Sequence, residues 1–338
     1  MINTMMSREI AAQAEILPQC VEPIATQVRR ILPLEGRIFA GGCGDSAFAP
    51  AALGGVFAAL GVDVVPATSM TLASFTQFRE DDTVILSSIS GGTKRTVEAA
   101  QAARAAGARV IAITCGSASA LDQTATDTIL LPFTPLSRKT PHTLDYAVTL
   151  AALVELALAW RSMPPEKVLP LFNDIPSMLA VAAARARDIA SRMEPAGKLF
   201  LLGAGPDLGS AEYGAAKFHE AGGLVAIAAE TENFIHGMNF MVEQQDTLLV
   251  LGGNAAGAAR GAQVVEGFSH FVTCAEIIGP GVTSTWEESF RSVLSQTFTI
   301  QNLCLEIAER RKLALELPRA GRDHGDAHAA IQAMLMAR

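Results

Sequence analysis

No stretch of this chain is long and basic, and its 26 lysines and arginines are outnumbered by 34 aspartates and glutamates. The net charge is −8 and the pI is near 5.3. Nonspecific nucleic-acid binding works by neutralising phosphates with Lys and Arg, so no nucleic-acid partner is expected. Cysteine is sparse and scattered: Cys20, Cys43, Cys115, Cys274 and Cys304 form no CxxC pair. That argues against a zinc ribbon or a redox dithiol and suits a reducing cytoplasm. No apolar run is long enough for a membrane span. The longest, 147–160, is interrupted by Glu155 and reads as a buried helix, so no membrane partner is expected. The first ten residues hold Arg8 and Glu9 and no apolar core, which is unlike a signal peptide.

What the chain does have is a repeat. Gly36-Arg37-Ile38-Phe39-Ala40-Gly41-Gly42-Cys43-Gly44 returns as Gly197-Lys198-Leu199-Phe200-Leu201-Leu202-Gly203-Ala204-Gly205. The offset is 161 (197 − 36 = 161) and still holds at Gly61 and Gly222. A second match pairs 82–86 with 246–250 at an offset of 164 (246 − 82 = 164). A repeat this long is a domain rather than a solenoid unit, and the length of 338 residues also suggests two domains. Apolar bursts predict strands at 37–41, 63–66, 83–88, 109–114 and 128–131, with helices at 47–60, 93–106, 119–125 and 142–161. Two short helices are expected over 8–32, separated by Pro18 and Pro23. Past Pro164, Pro165, Pro170 and Pro176 the pattern restarts. It gives a helix at 178–193, strands at 199–202, 224–228, 247–251 and 271–277, and a closing helix at 286–312. The alternation predicts an α/β protein of two tandem domains, each a parallel sheet flanked by helices in three flavodoxin-like layers. Their expected extents are 1–162 and 177–313, followed by a tail at 314–338 that has no counterpart in the first half.

The two halves differ in chemistry. Ser87-Ser88-Ile89-Ser90-Gly91-Gly92-Thr93 follows a predicted strand and opens a predicted helix. At such a junction backbone N–H groups are unpaired and the helix dipole is positive. Ser88, Ser90 and Thr93 add hydroxyls, and Gly91 lets the backbone approach an anion closely. The earlier junction, Gly41-Gly42-Cys43-Gly44-Asp45-Ser46, has the same logic, with Gly44 at the turn and Ser46 as a fourth hydroxyl donor. Taken alone, either loop is explained by helix capping and a tight turn. Together, at neighbouring strand ends, they describe a phosphate site. The matching second-half loop, Gly252-Gly253-Asn254-Ala255-Ala256-Gly257, has lost its hydroxyls, so one phosphate site per chain is expected. The pairs Gly42-x-Gly44 and Gly203-x-Gly205 lack the third glycine of a dinucleotide fingerprint, and no nucleotide cofactor is expected.

This constellation resembles the tandem sugar isomerase (SIS) domain family, which includes the isomerase half of glucosamine-6-phosphate synthase and the fructoselysine-6-phosphate deglycases. Ser88 to Thr93 matches the family's Ser-x-Ser-Gly-x-Thr signature, and Cys43-Gly44-Asp45-Ser46 matches its Cys-Gly-Thr-Ser turn with Asp for Thr. In the second half, Lys217-Phe218-His219-Glu220 and His236-Gly237 match a Lys-x-x-Glu helix and a His-Gly turn, 16 residues apart from Glu to His (236 − 220 = 16). The resemblance implies that Glu220 moves a proton between C1 and C2 of a phosphorylated sugar. It implies that Lys217 sits beside Glu220, and that His236 assists ring opening, reaching the site of a neighbouring subunit. A homodimer with a shared active site follows, with no metal or other cofactor.

By helical spacing alone, Lys217 and Glu220 are an ordinary surface ion pair. Lys217 would counter enediolate charge but also pull the Glu220 pKa down, whereas a partly dry pocket raises it; the sequence leaves open which wins. Several positions depart from the family. The glutamate preceding the Gly-Ala-x-Lys run is Tyr213, and the terminal Pro318-Arg319 segment is not followed by a nearby lysine, which argues against the synthase's imine route. The Ser-Thr-Lys loop becomes Ser137-Arg138-Lys139, where Arg138 and Lys139 are candidates to face the variable end of the substrate, for instance a carboxylate. His324, His328, Asp323 and Asp326 read as a polar tail rather than a metal site. The expected function is a phosphosugar isomerase or deglycase; the alternative is a non-catalytic phosphosugar sensor.

Overall fold

The computed structural model describes residues 4–137, 141–222, 224–281, 283–315 and 324–336. The first helix, α1 (Met5–Ile31), leads into β1 (Ile38–Gly42), α2 (Asp45–Ala52), α3 (Gly54–Leu60), β2 (Val64–Thr68), α4 (Ser69–Ser74) and β3 (Thr83–Ser87). Then come α5 (Lys94–Ala105), β4 (Arg109–Thr114), α6 (Ala120–Thr124), β5 (Asp127–Leu130) and the long α7 (Leu144–Trp160). After α8 (Leu169–Asn173) and α9 (Ile175–Arg192), the second half runs β6 (Leu199–Gly203), α10 (Asp207–Gly222), β7 (Ala226–Glu230), α11 (Thr231–Ile235) and β8 (Thr247–Leu251). It closes with α12 (Ala255–Phe268), β9 (Cys274–Ile278), α13 (Trp286–Arg310) and α14 (Gly325–Leu335).

Two parallel sheets result, with strand orders β2-β1-β3-β4-β5 and β7-β6-β8-β9. The registers correspond: Ile38 lies beside Val64 and Thr83, and Leu199 beside Ala226 and Thr247. Alternate strand residues point to opposite faces. Ile38 and Ala40 join a core shared with Leu199 and Leu201, whereas Phe39 and Phe200 belong to separate outer clusters. The shared core also takes in α1, α2, α7, α10 and α13, so one helical layer lies between the two sheets. All of α7 from Leu144 to Ala159 is buried, as its apolar run predicts.

The repeated polar residues are structural. Buried Asp82 accepts from Arg37 Nε at 2.9 Å and from the Arg79 N–H. Buried Asp246 pairs with Lys198 Nζ at 2.8 Å and accepts from the Glu243 N–H. Each aspartate ties the start of a central strand to the turn before its neighbour.

Two expectations fail. The predicted pair of helices over 8–32 is one helix, α1. Its buried stripe, including Leu17, Val21, Ile24 and Val28, runs through both prolines, while Pro18 is half-buried and Pro23 exposed. Carbonyls freed on the outer side of a helix can be hydrated, so packing overrides the two breaks. Conversely, the single helix expected over 47–60 is two, interrupted at Leu53 before Gly54-Gly55. There α3 packs on the second half: a Cβ on Gly54 would meet Pro206 Cγ at 3.3 Å.

Candidate active site

A cleft of about 400 Å³ opens where the carboxyl ends of β1 and β3 meet α7 and α10. Carboxyl ends of parallel strands are where open α/β sheets hold ligands. The β1–α2 turn contributes Gly44, Asp45 and Ser46; the β3–α5 loop contributes Ser88, Ser90 and Thr93; the second half contributes Lys217 and Glu220 from α10. Residues from both halves therefore line one cleft.

On the first-half side, Ser88 Oγ and Thr93 Oγ1 lie 3.0 Å apart, and Ser90 Oγ accepts from the Gly92 N–H at 3.2 Å. Thr93 is the N-cap residue of α5, yet its side chain caps nothing. Capping alone therefore does not account for these hydroxyls. Gly44 adopts φ 56°, ψ −126°, which glycine reaches freely. Gly91 has φ 63°, and a Cβ there would sit 2.0 Å from Ser119 Oγ. It does not line the cleft; it shapes the loop that does.

On the second-half side, Lys217 is no surface residue. Its side chain is 1% exposed and its Nζ lies 2.8 Å from Asp45 Oδ2 and 2.6 Å from Glu220 Oε2. Burial by itself pulls the ammonium's pKa down, but the Asp45 and Glu220 carboxylates more than offset it and hold the lysine charged. For Glu220, burial is the largest influence and raises the pKa. Lys217 opposes it and Asp45 reinforces it, and the net shift is upward. Between the two effects the sequence left open, burial wins.

Two departures from the family pattern meet at Lys217. Tyr213 stacks on Tyr146 with centroids 3.8 Å apart and its ring lies 5.5 Å from Lys217 Nζ. The carboxylate absent at 213 is supplied instead by Asp45, on the other half of the chain.

His236 is not in this cleft. It ends α11 with its side chain 79% exposed and 3.8 Å from Glu232. Within one chain the structure brings Glu220 to the phosphate loop but does not bring His236 to Glu220. His219 Nε2 lies 2.7 Å from the Ala226 carbonyl, a structural contact. Arg138 and Lys139 lie outside the described residues.

The sequence reading missed His142 and Asp145, which also line the cleft. His142 Nδ1 is 3.1 Å from Asp145 Oδ2; the distance is that of an ion pair, while the angle falls short of a good hydrogen bond. Behind them Glu9 Oε2 accepts from both the N–H and the hydroxyl of Thr143. Gln301 Nε2 donates to Tyr213 Oη, and Gln13 Nε2 donates to Gln301 Oε1. The only local signal was a His and an Asp three residues apart at the start of a helix.

The corresponding place in the second half is closed. Asp207 stands where Ser46 stands in the first repeat (207 − 46 = 161). Its Oδ2 accepts from the Gly253 N–H at 2.8 Å and Asn254 Nδ2 at 2.9 Å, and its Oδ1 from Gln296 Nε2 at 2.8 Å. An internal carboxylate occupies that loop.

Residues 32–159 match the model of the SIS domain. No curated protein matches the sequence. Among solved structures, the chain is similar to a glucosamine-6-phosphate deaminase from Thermotoga maritima, at 17% identity over 93% of this chain and 97% of that one, with a TM-score of 0.79. It is similar to the C-terminal domain of glucosamine-fructose-6-phosphate aminotransferase from Francisella tularensis, at 14% identity over 93% and 98%, TM-score 0.74. A third is a tagatose-6-phosphate ketose/aldose isomerase from Escherichia coli, at 16% identity over 90% and 93%, TM-score 0.72. These likenesses establish that nearly the whole chain has the phosphosugar isomerase-like fold of two sheets.

Proposed function

We propose that the protein is an enzyme that moves a proton between C1 and C2 of a 6-phosphorylated sugar or amino-sugar conjugate. One observation carries this reading: Glu220, with Lys217 behind it, lines the same 400 Å³ cleft as the Ser88–Thr93 loop. The hydroxyls of Ser46, Ser88, Ser90 and Thr93 hold the phosphate at one end. Glu220 takes a proton from the carbon next to the carbonyl and returns it one carbon away. Its raised pKa lets it hold that proton between the two transfers. Lys217, kept charged by Asp45, stands near the oxygen on which enediolate charge develops.

The same proton shift turns a ketosamine into an aldose imine, which water hydrolyses, so deglycation is the closely related reaction. The lack of a lysine soon after Pro318-Arg319 favours it over an imine-forming synthase. On this reading 1–162 and 177–313 are two SIS domains. The working form is a cytoplasmic homodimer in which His236 of one copy reaches the cleft of the other. The exposure of His236, beside Phe240 at 89%, supports such an interface, and five scattered cysteines with no CxxC spacing fit the compartment. Among the described residues no helix is long and apolar enough to cross a membrane.

The test is solvent-deuterium incorporation at C1 or C2 across a panel of hexose 6-phosphates. The wild type exchanges, and Glu220→Gln loses about 10²–10⁴-fold in rate while still binding. Binding without exchange by the wild type across the panel overturns the enzyme reading in favour of a sensor.

A further inference from the structure

The cleft contains a titratable pair that the proton shift does not use. We infer that His142 is a second acid–base residue of this cleft, that it protonates the ring oxygen when the sugar ring opens, and that Asp145 is its positioning residue. This rests on the reading that the cleft takes a phosphorylated sugar.

Hexose 6-phosphates in water are mostly closed hemiacetals or hemiketals, and a closed ring has no carbonyl to acidify the neighbouring C–H. Opening breaks the bond between the anomeric carbon and the ring oxygen. The electron pair goes to the ring oxygen, which takes a proton; the anomeric hydroxyl loses its proton to water and becomes the carbonyl. The donor must be an acid at neutral pH. Glu220 must be ionised to take the C–H proton next and cannot also arrive as that acid. Among the described residues of one chain that line the cleft, His142 is the only imidazole; the second copy's His236 is the rival donor, and the test below separates the two.

The surroundings of His142 suit that task. Its Nδ1 is buried against Asp145, whose side chain is 6% exposed, while the imidazole as a whole is 26% exposed. One nitrogen thus lies within ion-pair distance of the carboxylate, and the residue lines the cleft. A His oriented by a carboxylate at its other nitrogen is poised for proton transfer. The charged groups around it come from four helices. Asp145 is on α7, Glu9 on α1, Lys217 and Glu220 on α10, and Asp45 on α2. Burial is the largest influence and lowers the imidazole's pKa; Asp145 and then Glu9 raise it, Lys217 lowers it, and the net shift is upward. Fully buried Glu9 leaves its Oε1 without a partner, as Asp145 leaves its Oδ1. Unpartnered buried carboxylates are costly for stability, and Asp145 lines the cleft with Glu9 behind it.

The experiment compares a ketohexose 6-phosphate with its 5-deoxy analogue, which has no hydroxyl able to close a furanose or pyranose ring. Deuterium exchange at C1 is measured for both. His142→Gln is expected to lose about 10²-fold or more on the ring-forming sugar and to stay within about threefold of wild type on the open analogue. Glu220→Gln loses both, and His236→Gln leaves the ratio between the two sugars unchanged. Asp145→Asn shifts the histidine limb of the pH profile to lower pH, which a purely structural role would not do. If His142→Gln affects both sugars equally or neither, or if His236→Gln alone shows the ring-specific loss, the inference is overturned. A wild type that exchanges neither sugar overturns the underlying reading as well. Should His142→Gln fail to fold, the Asp145→Asn profile decides: an unmoved limb rejects the inference.

Discussion

The two strand–helix loops of this molecule share a geometry and differ in what fills it. In the first half the place beside the loop belongs to Ser46, whose short side chain leaves the cleft open. In the second half the same place belongs to Asp207, whose carboxylate accepts three hydrogen bonds from Gly253, Asn254 and Gln296. A Cβ on Gly253 would lie 2.4 Å from Asp207 Oδ1, so that loop is fitted to its internal anion. A helix N-terminus attracts negative charge whatever its source. One residue decides whether the charge comes from a ligand or from the chain itself. This explains why the hydroxyls are absent from the second loop: its donors already have an acceptor.

Exchanging the two residues is the strongest way to break this comparison. Ser46→Asp places a carboxylate where the phosphate is to sit, next to Asp45. A sugar phosphate should then bind about 10³-fold more weakly, roughly 4 kcal/mol, with little change in thermal midpoint. Retained affinity by calorimetry means that the phosphate sits elsewhere. The reverse change costs less. Asp207→Ala strips the acceptor from three donors and should destabilise by about 3 kcal/mol, read from the chemical denaturation midpoint. In a Ser46→Asp background, inorganic phosphate should restore part of that loss by occupying the vacated loop. No response to phosphate means that the second loop is not an anion site at all.

The difference between the halves was partly legible in sequence because its signals are local. Ser88, Ser90, Gly91 and Thr93 lie within one loop, and the strands announce themselves as apolar bursts between turns. The i, i+3 spacing of Lys217 and Glu220 placed them on one face of α10, but not whether that face was wet. What was not legible depends on distance along the chain. Asp45 meets Lys217 across 172 residues, and Glu9 meets Thr143 across 134. Neither residue is unusual where it stands, and the second carboxylate at Lys217 could not be expected without knowing that α2 packs on α10. The continuity of α1 through Pro18 and Pro23 was hidden for the same reason: the tertiary contacts that hold its buried stripe leave no mark on local propensity. The role of Asp207 was hidden although it is adjacent to the repeated glycines, because an aspartate at a helix start reads first as a cap.

A second buried carboxylate sharpens the contrast with Asp207. Glu155, in the middle of α7, is fully buried and neither of its oxygens has a hydrogen-bond partner. For both acids burial is the largest influence and raises the pKa, but Asp207 has three donors that oppose it. Glu155 has only the distant charge of Arg29 in opposition, and its pKa is pushed up to about 9. The sign of the consequence follows from linkage. Below the ordinary glutamate pKa of 4.5 the side chain is protonated in the folded and the unfolded chain alike, and no stability is lost by this route. As pH rises from there towards 9, only the unfolded chain ionises, so stability falls by about 1.4 kcal/mol per pH unit. Glu155→Gln should remove that slope between about pH 5 and 8, and Glu155→Leu should in addition raise the denaturation midpoint at neutral pH, since an apolar side chain suits the α1–α7 contact. Asp207→Asn should leave the slope largely in place, because three donors oppose the burial of that carboxylate and none opposes that of Glu155. Equal slopes in the wild type and Glu155→Gln would show that Glu155 reaches water in solution, and that unpaired burial does not distinguish it from Asp207.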